Sequence, residues 1–573
     1  MSSPLTVLKF GSSVLRSAAD LPRAVHEIYS ERRAGRRVLC VVSALGDTTD
    51  RLLRRAESWR SSGDELALAA LLATGEAEAT ALLALALARA GLSATRLDVA
   101  AAGIACDGPR LDARPTSVSR TRVFGALEAH GVVVLPGFYA LDEDGQPALF
   151  GRGGSDLTAI FLAERLGAQR CVLLKDVDGL YESDPARAAT KPKRFAALRY
   201  ESALALGDGV VQDKAIRHAA ATALRFEVGS LGRTQPSLVG APHDRFVDEA
   251  PRRRPLRVAL AGLGTVGEGV RRLLAAEPDE FELVGALVRD PRRASRRSFG
   301  DDFCVDALEP LLLRDPDVFV ELIGGLDPAE DLVRAALHAG LDVVTANKAL
   351  LARRGLALET LASSCGARIS ASAAVAGAVP ALELVERTAA AGRLRGFDGV
   401  LNGTTNAVLD AICAGASFDE AVAAAQRAGF AEADPTLDLD GTDAAQKLEL
   451  LARAAFAGAP PVRWRSREGI AGLDAESVRR ATRDGTVPRL VASCVLEDGK
   501  PCAELRVVQL PPHHPLAQVR GEENALLVHD AGGATTRLFG KGAGRWPTAQ
   551  AVFADLQDLA RSGAERRALA RAE

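Results

Sequence analysis

Short runs of apolar, often β-branched residues alternate along the chain with glycine-rich turns and with stretches rich in Ala and Leu. This order recurs in two long regions, on either side of a segment near residue 250 that is rich in proline and charged residues. A strand, a tight turn and a helix in that order favour parallel sheets covered by helices. We therefore predict an α/β architecture in both regions, with a domain boundary near residue 250.

The stretch RVALAGLGTVGEGVRRLLAA, which starts at Arg257, has the pattern of a strand, a glycine turn and a helix. Its glycines have G-x-G-x-x-G spacing, which in dinucleotide-binding folds permits the turn, admits the pyrophosphate and lets the helix pack on the strand. An ordinary βα turn is the alternative. The next apolar strand leads to Arg289. At the end of this strand, NAD-binding folds carry an acid that binds the ribose 2′-hydroxyl, whereas an arginine suits the 2′-phosphate of NADP. We predict a nicotinamide cofactor site that prefers NADP(H) to NAD(H).

The stretch AEADPTLDLDGTDAAQKLELLARAAF, which starts at Ala431, places five carboxylates within a dozen residues and then one lysine, Lys447. The five are Glu432, Asp434, Asp438, Asp440 and Asp443. Asp440 or Thr442 can cap a helix that begins near Asp443, and Lys447 follows one turn later at the border of an apolar stripe. One interpretation is a capped helix with a surface ion pair. The other is a partly buried lysine, oriented by a carboxylate, that protonates a substrate oxygen.

Composition limits the classes of partner. The chain has 573 residues, 47% of them apolar and 25% charged, with a net charge of -3, so we expect several domains and no nucleic acid or membrane partner. The eight cysteines and eight histidines lack zinc-type spacing, which fits reduced thiols. There is no signal-like N-terminus and no uninterrupted apolar run of membrane-spanning length. We expect a soluble cytoplasmic protein that acts on small molecules.

Four segments of the second half closely resemble homoserine dehydrogenase, which reduces aspartate semialdehyde to homoserine with a nicotinamide cofactor. They are VFVELIGG from Val318, VVTANKALLA from Val343, VLNGTTNAVLDAI from Val400 and the carboxylate-rich stretch. The resemblance runs from Arg257 through GKGAGRWPTAQAVFADL, which starts at Gly540. It implies a Rossmann domain over residues 256–372, an α+β catalytic and dimerisation domain over 373–535 and a segment over 536–573 that returns to the Rossmann domain. It also implies a homodimer or a higher homo-oligomer.

The resemblance assigns roles to individual residues. Lys447 is the implied proton donor and Asp443 its partner, while Lys348 lies near nicotinamide and substrate. Glu432 is implied to pair with the substrate ammonium group, and Asp434 and Asp438 are interpreted as turn and solvent residues. Cofactor contacts are implied for Gly262, Gly264, Thr265, Val266, Gly267, Arg289, Lys348, Gly542 and Gly544.

Family members also bind a monovalent cation through main-chain carbonyls in a segment that matches SAAVAGAVP, from Ser372. The resemblance implies that Val375, Gly377 and Val379 contribute to such a site for Na⁺ or K⁺. The chain departs from the family pattern here, because the family usually has Glu at Ser372 and glycine at Ala378.

The first half is similar to aspartate kinase, of the amino-acid kinase fold, from about Leu5 to Gly229. The similarity rests on LTVLKFGSSV, VVSALGDTTDRLL, GFYALDEDGQPALFGRGGSD and LLKDVDGLYESDPAR. It implies a kinase-like domain over 1–240, a linker over 241–255, and ATP with Mg²⁺ as co-substrate. Phosphate contacts are implied for Lys9, Gly11, Ser12 and Ser13, aspartate contacts for Glu76, Arg152, Ser155 and Asp156, and nucleotide contacts for Asp176, Asp178 and Tyr181.

This half also departs from the family pattern. Where the family usually has KFGGTS, this chain has KFGSSV. Where the family has GAKVLHP, this chain has GDGVVQDKA, so that Gly209 replaces a phosphate-side lysine. Lys214 can substitute for that lysine only from another backbone position. The paired regulatory ACT modules of many relatives have no counterpart. The two resemblances together imply a compact bifunctional aspartate kinase and homoserine dehydrogenase of threonine and methionine biosynthesis. The alternative is a homoserine dehydrogenase whose first half senses a ligand or mediates assembly without catalysis.

Overall fold

The structure is a computed structural model that describes residues 3–59, 64–185, 187, 188, 190, 192–207, 209–232, 235–247, 254–292 and 303–569, with side chains described up to residue 562. The chain forms two compact units. The first comprises Met1–Arg89 and Ser93–Pro251, and the second comprises Ala90–Leu92 and Arg252–Glu573.

The first unit alternates strands and helices. Its strands are β1 Leu5–Phe10, β2 Arg37–Val42, β3 Thr95–Arg96, β4 Ala105–Asp107, β5 Arg114–Ser117, β6 Val132–Pro136, β7 Tyr139–Leu141, β8 Pro147–Leu149, β9 Arg170–Leu174, β10 Phe195–Leu198, β11 Phe226–Gly229, β12 Ser237–Val239 and β13 Arg245–Phe246. Its helices are α1 Leu21–Arg33, α2 Thr48–Glu57, α3 Glu65–Arg89, α4 Val99–Ala102, α5 Arg120–His130, α6 Gly154–Leu166, α7 Tyr200–Ala205 and α8 Asp213–Ala221.

The main sheet of this unit has the strand order β13-β10-β12-β11-β9-β1-β2-β6-β3. The central strands β9, β1, β2 and β6 run parallel, and β1 is buried along its whole length, as expected for a strand covered by helices on both faces. A smaller sheet has the order β5-β4-β7-β8. Because β1 and β9 are parallel neighbours, the residues that follow them meet at one edge of the sheet.

Helix α3 is long and apolar enough, by length and composition alone, to cross a membrane. Core helices of water-soluble folds pass the same test. One side of α3, with Leu68, Ala69 and Leu72, packs into the hydrophobic core of this unit, and the helix also buries Glu76. A buried carboxylate in mid-helix suits a core helix that lines a polar site.

The second unit contains a Rossmann-type sheet and a second sheet. Its strands are β14 Leu256–Ala261, β15 Phe281–Leu287, β16 Cys304–Val305, β17 Val318–Glu321, β18 Asp342–Thr345, β19 Ile369–Ser370, β20 Leu394–Val400, β21 Arg463–Arg467, β22 Val487–Glu497, β23 Lys500–Leu510, β24 Glu523–Asp530 and β25 Thr535–Lys541. Its helices are α9 Thr265–Ala275, α10 Glu309–Leu312, α11 Ala329–His338, α12 Lys348–Ser364, α13 Ala381–Ala390, α14 Gly403–Cys413, α15 Phe418–Arg427, α16 Thr436–Leu439, α17 Thr442–Ala455, α18 Ala475–Arg483 and α19 Arg545–Leu569.

The two sheets of this unit differ in character. The first, β16-β15-β14-β17-β18-β19, is parallel throughout. The second, β21-β23-β22-β20-β24-β25, is mainly antiparallel, and one of its faces shares a hydrophobic core with α13, α14 and α17. The predicted α/β class with an α+β substrate domain is therefore confirmed.

Two predicted boundaries differ from the structure. Arg245–Phe246 lies inside the predicted linker 241–255 but forms β13, which pairs antiparallel with β10. The rest of that linker is described only at residues 241–247, 254 and 255. The segment predicted to return to the Rossmann domain from residue 536 first completes β25 of the second sheet. The return begins with α19, where Phe553 contacts Phe281 of β15 and Ala549 packs near Gly269 of α9.

Candidate active sites

The predicted dinucleotide turn follows β14 directly. Gly262 has φ +103°, in the region that favours glycine, and Gly264 is the N-cap of α9, whose first turn contains Thr265 and Val266. A Cβ on Gly267 would lie 2.0 Å from the Gly262 carbonyl oxygen, so helix and turn touch backbone to backbone. Arg289 is exposed just beyond the end of β15. The turn thus provides a helix N-terminus without side chains in front of it, which fits a pyrophosphate.

Helix α17 begins at Thr442 and not at Asp443, and its N-cap is Gly441, with φ +82°. Neither predicted capping residue acts as the cap. Asp440 Oδ1 accepts a hydrogen bond from the amide of Thr442, the first residue of the helix, at 2.8 Å. Glycine occupies the cap because the backbone of Glu468 would lie 2.9 Å from a Cβ there. The displacement leaves Asp443 in the first turn, where the helix dipole favours a carboxylate.

Asp443 is buried and holds two lysines. Its Oδ2 lies 2.8 Å from Lys447 Nζ, and its Oδ1 lies 2.9 Å from Lys348 Nζ at the start of α12. Burial alone would raise the pKa of Asp443, but the charges of Lys447 and Lys348 outweigh burial and hold that pKa well below its usual range. Lys447 also donates to the Leu401 carbonyl oxygen at 2.7 Å. Because Lys447 is buried, the surface ion pair considered above does not describe it.

Sequence reasoning missed two polar residues of this centre. Asn402 Nδ2 donates to Asp443 Oδ2 at 2.8 Å and to Asp438 Oδ1 at 2.6 Å. Asp438, interpreted above as a solvent residue, is half-buried, and burial raises its pKa even though the Asn402 hydrogen bond opposes this. Asn402 lies in the quoted LNGTTN motif. For Asp438, the signal in the sequence was its position five residues before Asp443. The short helix α16 brings its side chain to the same site.

The other acids of this stretch lie further out. Glu432 is exposed. Burial of Lys348 would lower its pKa, but the negative charges of Asp443, Asp438 and Glu432 outweigh burial and raise that pKa. Asp434 is exposed and accepts hydrogen bonds from the Thr436 amide and hydroxyl, as expected for a turn. Glu432 therefore lies within electrostatic range of the two-lysine centre at its open side.

A third missed residue is Asn524 on β24. Its Nδ2 donates to the Leu401 carbonyl oxygen at 3.1 Å, the same oxygen that accepts from Lys447. A Cβ on Gly542 would lie 2.0 Å from Asn524 Nδ2. Only a glycine at this predicted cofactor position therefore lets the Asn524 side chain pack against the backbone. Gly544, with φ +115°, lies in the turn that precedes α19. Gly542 therefore borders the lysine site through Asn524.

The predicted cation segment packs against the same glycines. A Cβ on Gly377 would lie 2.8 Å from the Gly542 carbonyl, and Gly377 has φ +54°. The Val379 carbonyl accepts a hydrogen bond from the Ala381 amide at 2.7 Å. Ser372, which replaces the family glutamate, donates from its hydroxyl to buried Asp555 at 2.7 Å. Asp555 of α19 thus places a carboxylate beside Ser372, the position where the family usually has Glu.

In the first unit, Lys9 of β1 lies 2.8 Å from Asp156 Oδ1 in the first turn of α6. Lys175, which sequence reasoning did not select, follows β9 and lies 2.7 Å from Asp156 Oδ2. Burial alone would raise the pKa of Asp156, but these two ammonium groups lower it. A Cβ on Gly11 would lie 3.0 Å from Lys9 Nζ, so the glycine leaves room for the lysine.

Glu76 of α3 lies in the same cluster and is not a helix-surface acid. It is 3% exposed, and its Oε2 has no hydrogen-bond partner among the described residues. Burial raises the pKa of Glu76 to about 7, although backbone N–H groups of Ala44 and Gly137 and the charge of Lys9 oppose this. A buried carboxylate oxygen without a partner fits a substrate ammonium group.

The remaining predicted residues of this unit surround the cluster at different depths. Ser155 is buried, and a Cβ on Gly137 would lie 2.7 Å from its Cβ. Arg152 is exposed between two glycines with positive φ, Ser12 and Asp176 are exposed, and Ser13 is half-buried. The Tyr181 hydroxyl donates to Asp178 Oδ1 at 2.7 Å. The structure therefore pairs Lys9 with Asp156, places Glu76 within electrostatic range of Lys9, buries Ser155 next to Asp156 in sequence and leaves Arg152 exposed.

Comparisons with known proteins match this division. Residues 4–225 match the amino acid kinase family, residues 262–371 the NAD binding domain of homoserine dehydrogenase, and residues 380–557 homoserine dehydrogenase itself. This arrangement is consistent with a bifunctional aspartate kinase and homoserine dehydrogenase, as predicted.

Individual relatives cover the second unit. A homoserine dehydrogenase of Corynebacterium glutamicum is 37% identical over 319 residues, which are 53% of this chain and 72% of the relative. One from Synechocystis is 35% identical over 320 residues, 53% of this chain and 73% of the relative. A solved homoserine dehydrogenase from Thiobacillus denitrificans aligns with TM-score 0.51 and 35% identity over 54% of this chain and 74% of its own. The chain belongs to the homoserine dehydrogenase family and carries an amino acid kinase family domain before its NAD-binding domain.

Proposed function

We propose that the second unit reduces L-aspartate 4-semialdehyde to L-homoserine with a nicotinamide cofactor. The observation that carries this proposal is the buried carboxylate of Asp443 with one lysine on each oxygen. Two ammonium groups held by one carboxylate present N–H donors to a substrate oxygen that becomes negative during reduction. The named homoserine dehydrogenases that match this unit support the same reaction.

The chain supplies the proton and the electrostatic environment, and a bound reduced nicotinamide supplies the hydride. An ammonium group has three N–H donors, and Lys447 uses two of them on Asp443 and Leu401. Its third N–H is available to the aldehyde oxygen, which takes the proton as the carbon is reduced. Glu432 and Asp438 supply carboxylates for the substrate ammonium group.

We further propose that NADPH is preferred over NADH, because Arg289 follows β15 at the point in the sequence where NAD-binding folds carry an acid, and an arginine there suits a 2′-phosphate. A monovalent cation at the carbonyls of Val375, Gly377 and Val379 is part of the same proposal. The test is to incubate the purified protein with semialdehyde and either cofactor, to follow oxidation of the reduced nicotinamide and to identify homoserine as the product. Cofactor oxidation without homoserine would exclude the proposed substrate.

For the first unit we propose ATP-dependent phosphorylation of L-aspartate. It rests on Asp156 with its two lysines and on the unpartnered oxygen of Glu76, which would receive the aspartate ammonium group. Phosphoryl transfer requires mainly positioning and charge neutralisation, which buried lysines provide. Mg²⁺ ordinarily enters such sites bridged by substrate phosphates, and the described residues contain no ready cluster of three ligating side chains.

The kinase test traps aspartyl phosphate as the hydroxamate in the presence of ATP, magnesium and aspartate. Hydroxamate formation that disappears in Lys9→Ala and in Glu76→Ala supports the proposal. If the intact protein reduces semialdehyde but forms no hydroxamate, the first unit is a sensing or assembly domain. Binding of nucleotide or aspartate without turnover would then identify its ligand.

We propose a cytoplasmic homodimer or higher homo-oligomer, on the resemblance to homoserine dehydrogenase. Light scattering of the purified protein at several concentrations measures its mass in solution. A monomer at all concentrations would contradict the proposed assembly.

A further inference from the structure

The resemblance to aspartate kinase implies a phosphate-side lysine at a position where the kinase-like unit has none. Gly209 occupies this position, between α7 and α8. No described atom lies within 4 Å of a Cβ built on Gly209, so no neighbouring side chain fills the space. A positive charge for the transferring group must therefore come from another element.

Lys214, the substitute considered from the sequence, is engaged elsewhere. Its Nζ donates to the Phe150 carbonyl oxygen and lies 3.3 Å from Asp112, which is exposed. Its side chain is 31% exposed, and neither partner belongs to the cluster of Lys9, Asp156 and Glu76. Lys214 thus supports the loop before Gly151.

Lys175 is placed at the cluster by the sheet. Strands β1 and β9 are parallel, with Phe10 opposite Leu174, so the residue after β9 emerges beside the glycine turn that follows β1. The Lys175 amide donates to the Gly229 carbonyl at 2.7 Å, which continues the pairing with β11 by one residue. Its side chain is only 12% exposed. The pairing of β9 with β1 on one side and with β11 on the other therefore fixes the backbone position of Lys175.

The charges around Asp156 are unbalanced. One carboxylate neutralises at most one of the two ammonium groups, and burial together with the charge of Lys9 lowers the pKa of Lys175. Glu76 also acts on Lys9, but its own pKa is raised, and the acid that acts on Lys175 besides Asp156 is Asp176, which is exposed. A structural ion pair needs only one lysine, and the second adds desolvation and repulsion. A bound anion between the two lysines would remove that imbalance.

We propose that Lys175 contacts the phosphoryl group in transfer and supplies, from β9, the positive charge that Gly209 does not. The inference rests on the proposed kinase function. A β-carboxylate oxygen of aspartate attacks the γ-phosphorus, a new O–P bond forms, and the bond from γ-phosphorus to the bridging oxygen breaks. The electron pair of that bond leaves with ADP, and no proton is transferred. Lys9 and Lys175 face the charge on the γ-phosphoryl oxygens from two sides.

The experiment uses the intact chain and compares Lys175→Thr with the double variant Lys175→Thr/Gly209→Lys. Lys193→Thr is the matched control, because Lys193 is an exposed lysine of the same unit that lies over the Phe246 ring. Hydroxamate formation gives kcat and both KM values, calorimetry gives the affinity for ADP, and semialdehyde reduction serves as an internal standard for intact protein. A Cβ at position 209 meets no described atom within 4 Å.

Lys175→Thr should lower the kinase kcat by about 10²–10³-fold, the scale of a lost transition-state donor, while ADP affinity and aspartate KM change by less than about threefold. The double variant should recover at least about tenfold, and Lys193→Thr should match the wild type. A kcat that survives in Lys175→Thr overturns the inference and leaves the kinase function intact. Joint loss of ADP and aspartate binding makes Lys175 a structural partner of Asp156 and also overturns it. If the wild type forms no hydroxamate, the proposed function fails together with the inference.

Discussion

Asp443 shows at the scale of single residues why the dehydrogenase site is arranged for chemistry. Its carboxylate accepts from Asn402 and contacts both Lys447 and Lys348 in a buried position. Buried ion pairs contribute little net stability, because desolvation offsets most of the attraction. A second lysine on the same carboxylate adds repulsion. The arrangement therefore makes sense as a preformed environment for a negative charge that exists only during the reaction.

Replacing Lys447 by Met tests the proposed proton donor. Semialdehyde reduction should fall by roughly 10²–10⁴-fold, because a general acid is lost, while Asp443 keeps Lys348 and Asn402 and the protein stays folded. Steady-state kinetics and thermal unfolding measure the two effects. Arg334→Met is the control, since Arg334 pairs with Glu330 at the same i,i+4 spacing on the surface. It should cost about 0.3–0.5 kcal/mol and leave turnover unchanged, and similar behaviour of Lys447→Met would refute the assignment.

Glu76 gives the kinase activity a predicted pH dependence. Because burial raises its pKa to about 7, the carboxylate that receives the aspartate ammonium group is protonated below that pH. The kcat/KM for aspartate should then fall about tenfold per pH unit as the pH decreases from about 7. Glu76→Gln should be weakly active with a flat profile over this range. A wild-type profile that is flat down to the ordinary glutamate pKa would contradict the assigned role.

The same shift affects stability with the opposite sign. Between the ordinary glutamate pKa and about 7, the native state binds a proton that the unfolded chain has released, so this group lowers stability as pH rises through that window. Denaturant unfolding of Glu76→Gln should lack that component.

Arg289 should determine the cofactor preference. In Arg289→Ala the advantage of NADPH over NADH should shrink, mainly through the KM for NADPH, because the lost contact is to the 2′-phosphate. Arg272→Ala is the control, because Arg272 lies on α9 and pairs with Glu268. Asp290, the next residue, is an acid that could instead bind a ribose 2′-hydroxyl. Equal use of both cofactors by the wild-type protein would show that Asp290 and not Arg289 defines the pocket.

At the scale of elements, the two glycines at the start of α9 have different functions. A Cβ on Gly267 would meet the Gly262 carbonyl oxygen at 2.0 Å, whereas a Cβ on Gly264 meets no described atom within 4 Å. Gly267 therefore serves packing of the helix on the turn, and Gly264 keeps the space in front of the helix N-terminus open.

Gly264→Ala and Gly267→Ala should consequently have separable effects. Gly264→Ala should unfold at the wild-type temperature but raise the KM for NADPH by at least about tenfold, because the methyl group occupies the pyrophosphate position. Gly267→Ala should lower the unfolding temperature, because the backbone must move. Cofactor kinetics and thermal unfolding of both variants decide the matter, and normal NADPH binding by Gly264→Ala would place the pyrophosphate elsewhere.

The elements also show how far the sequence predicts the site. The β14 turn and the Asp443 to Lys447 spacing depend on neighbours a few residues apart. The structure accordingly contains the expected strand, glycine turn and helix and the expected pairing of Asp443 with Lys447. Asp438 reaches Asn402 across 36 residues, so its burial is decided by packing that no local pattern reveals. Lys175 likewise meets Lys9 only because β1 and β9 pair. The cap at Gly441 follows from contact with Glu468, which is also distant in sequence.

At the scale of the whole molecule, the two compact units each contain a carboxylate that holds two lysines. Asp156 lies in a unit of the amino acid kinase family, and Asp443 lies in the homoserine dehydrogenase unit. The first arrangement faces a glycine turn after a strand, and the second is reached from the start of α12 and from α17. Each unit thus contains a pair of lysines held by one carboxylate. We propose that the first pair acts on a phosphoryl group and the second on a developing alkoxide.

The central claim is that these sites catalyse two independent reactions. The most direct measurement assays aspartyl hydroxamate formation and semialdehyde reduction on the same preparations of the wild type, Lys9→Ala and Lys447→Met. The wild type should perform both reactions, Lys9→Ala should lose only hydroxamate formation, and Lys447→Met should lose only reduction. A wild type that reduces semialdehyde but forms no hydroxamate would contradict the claim, as would either variant losing both activities while remaining folded.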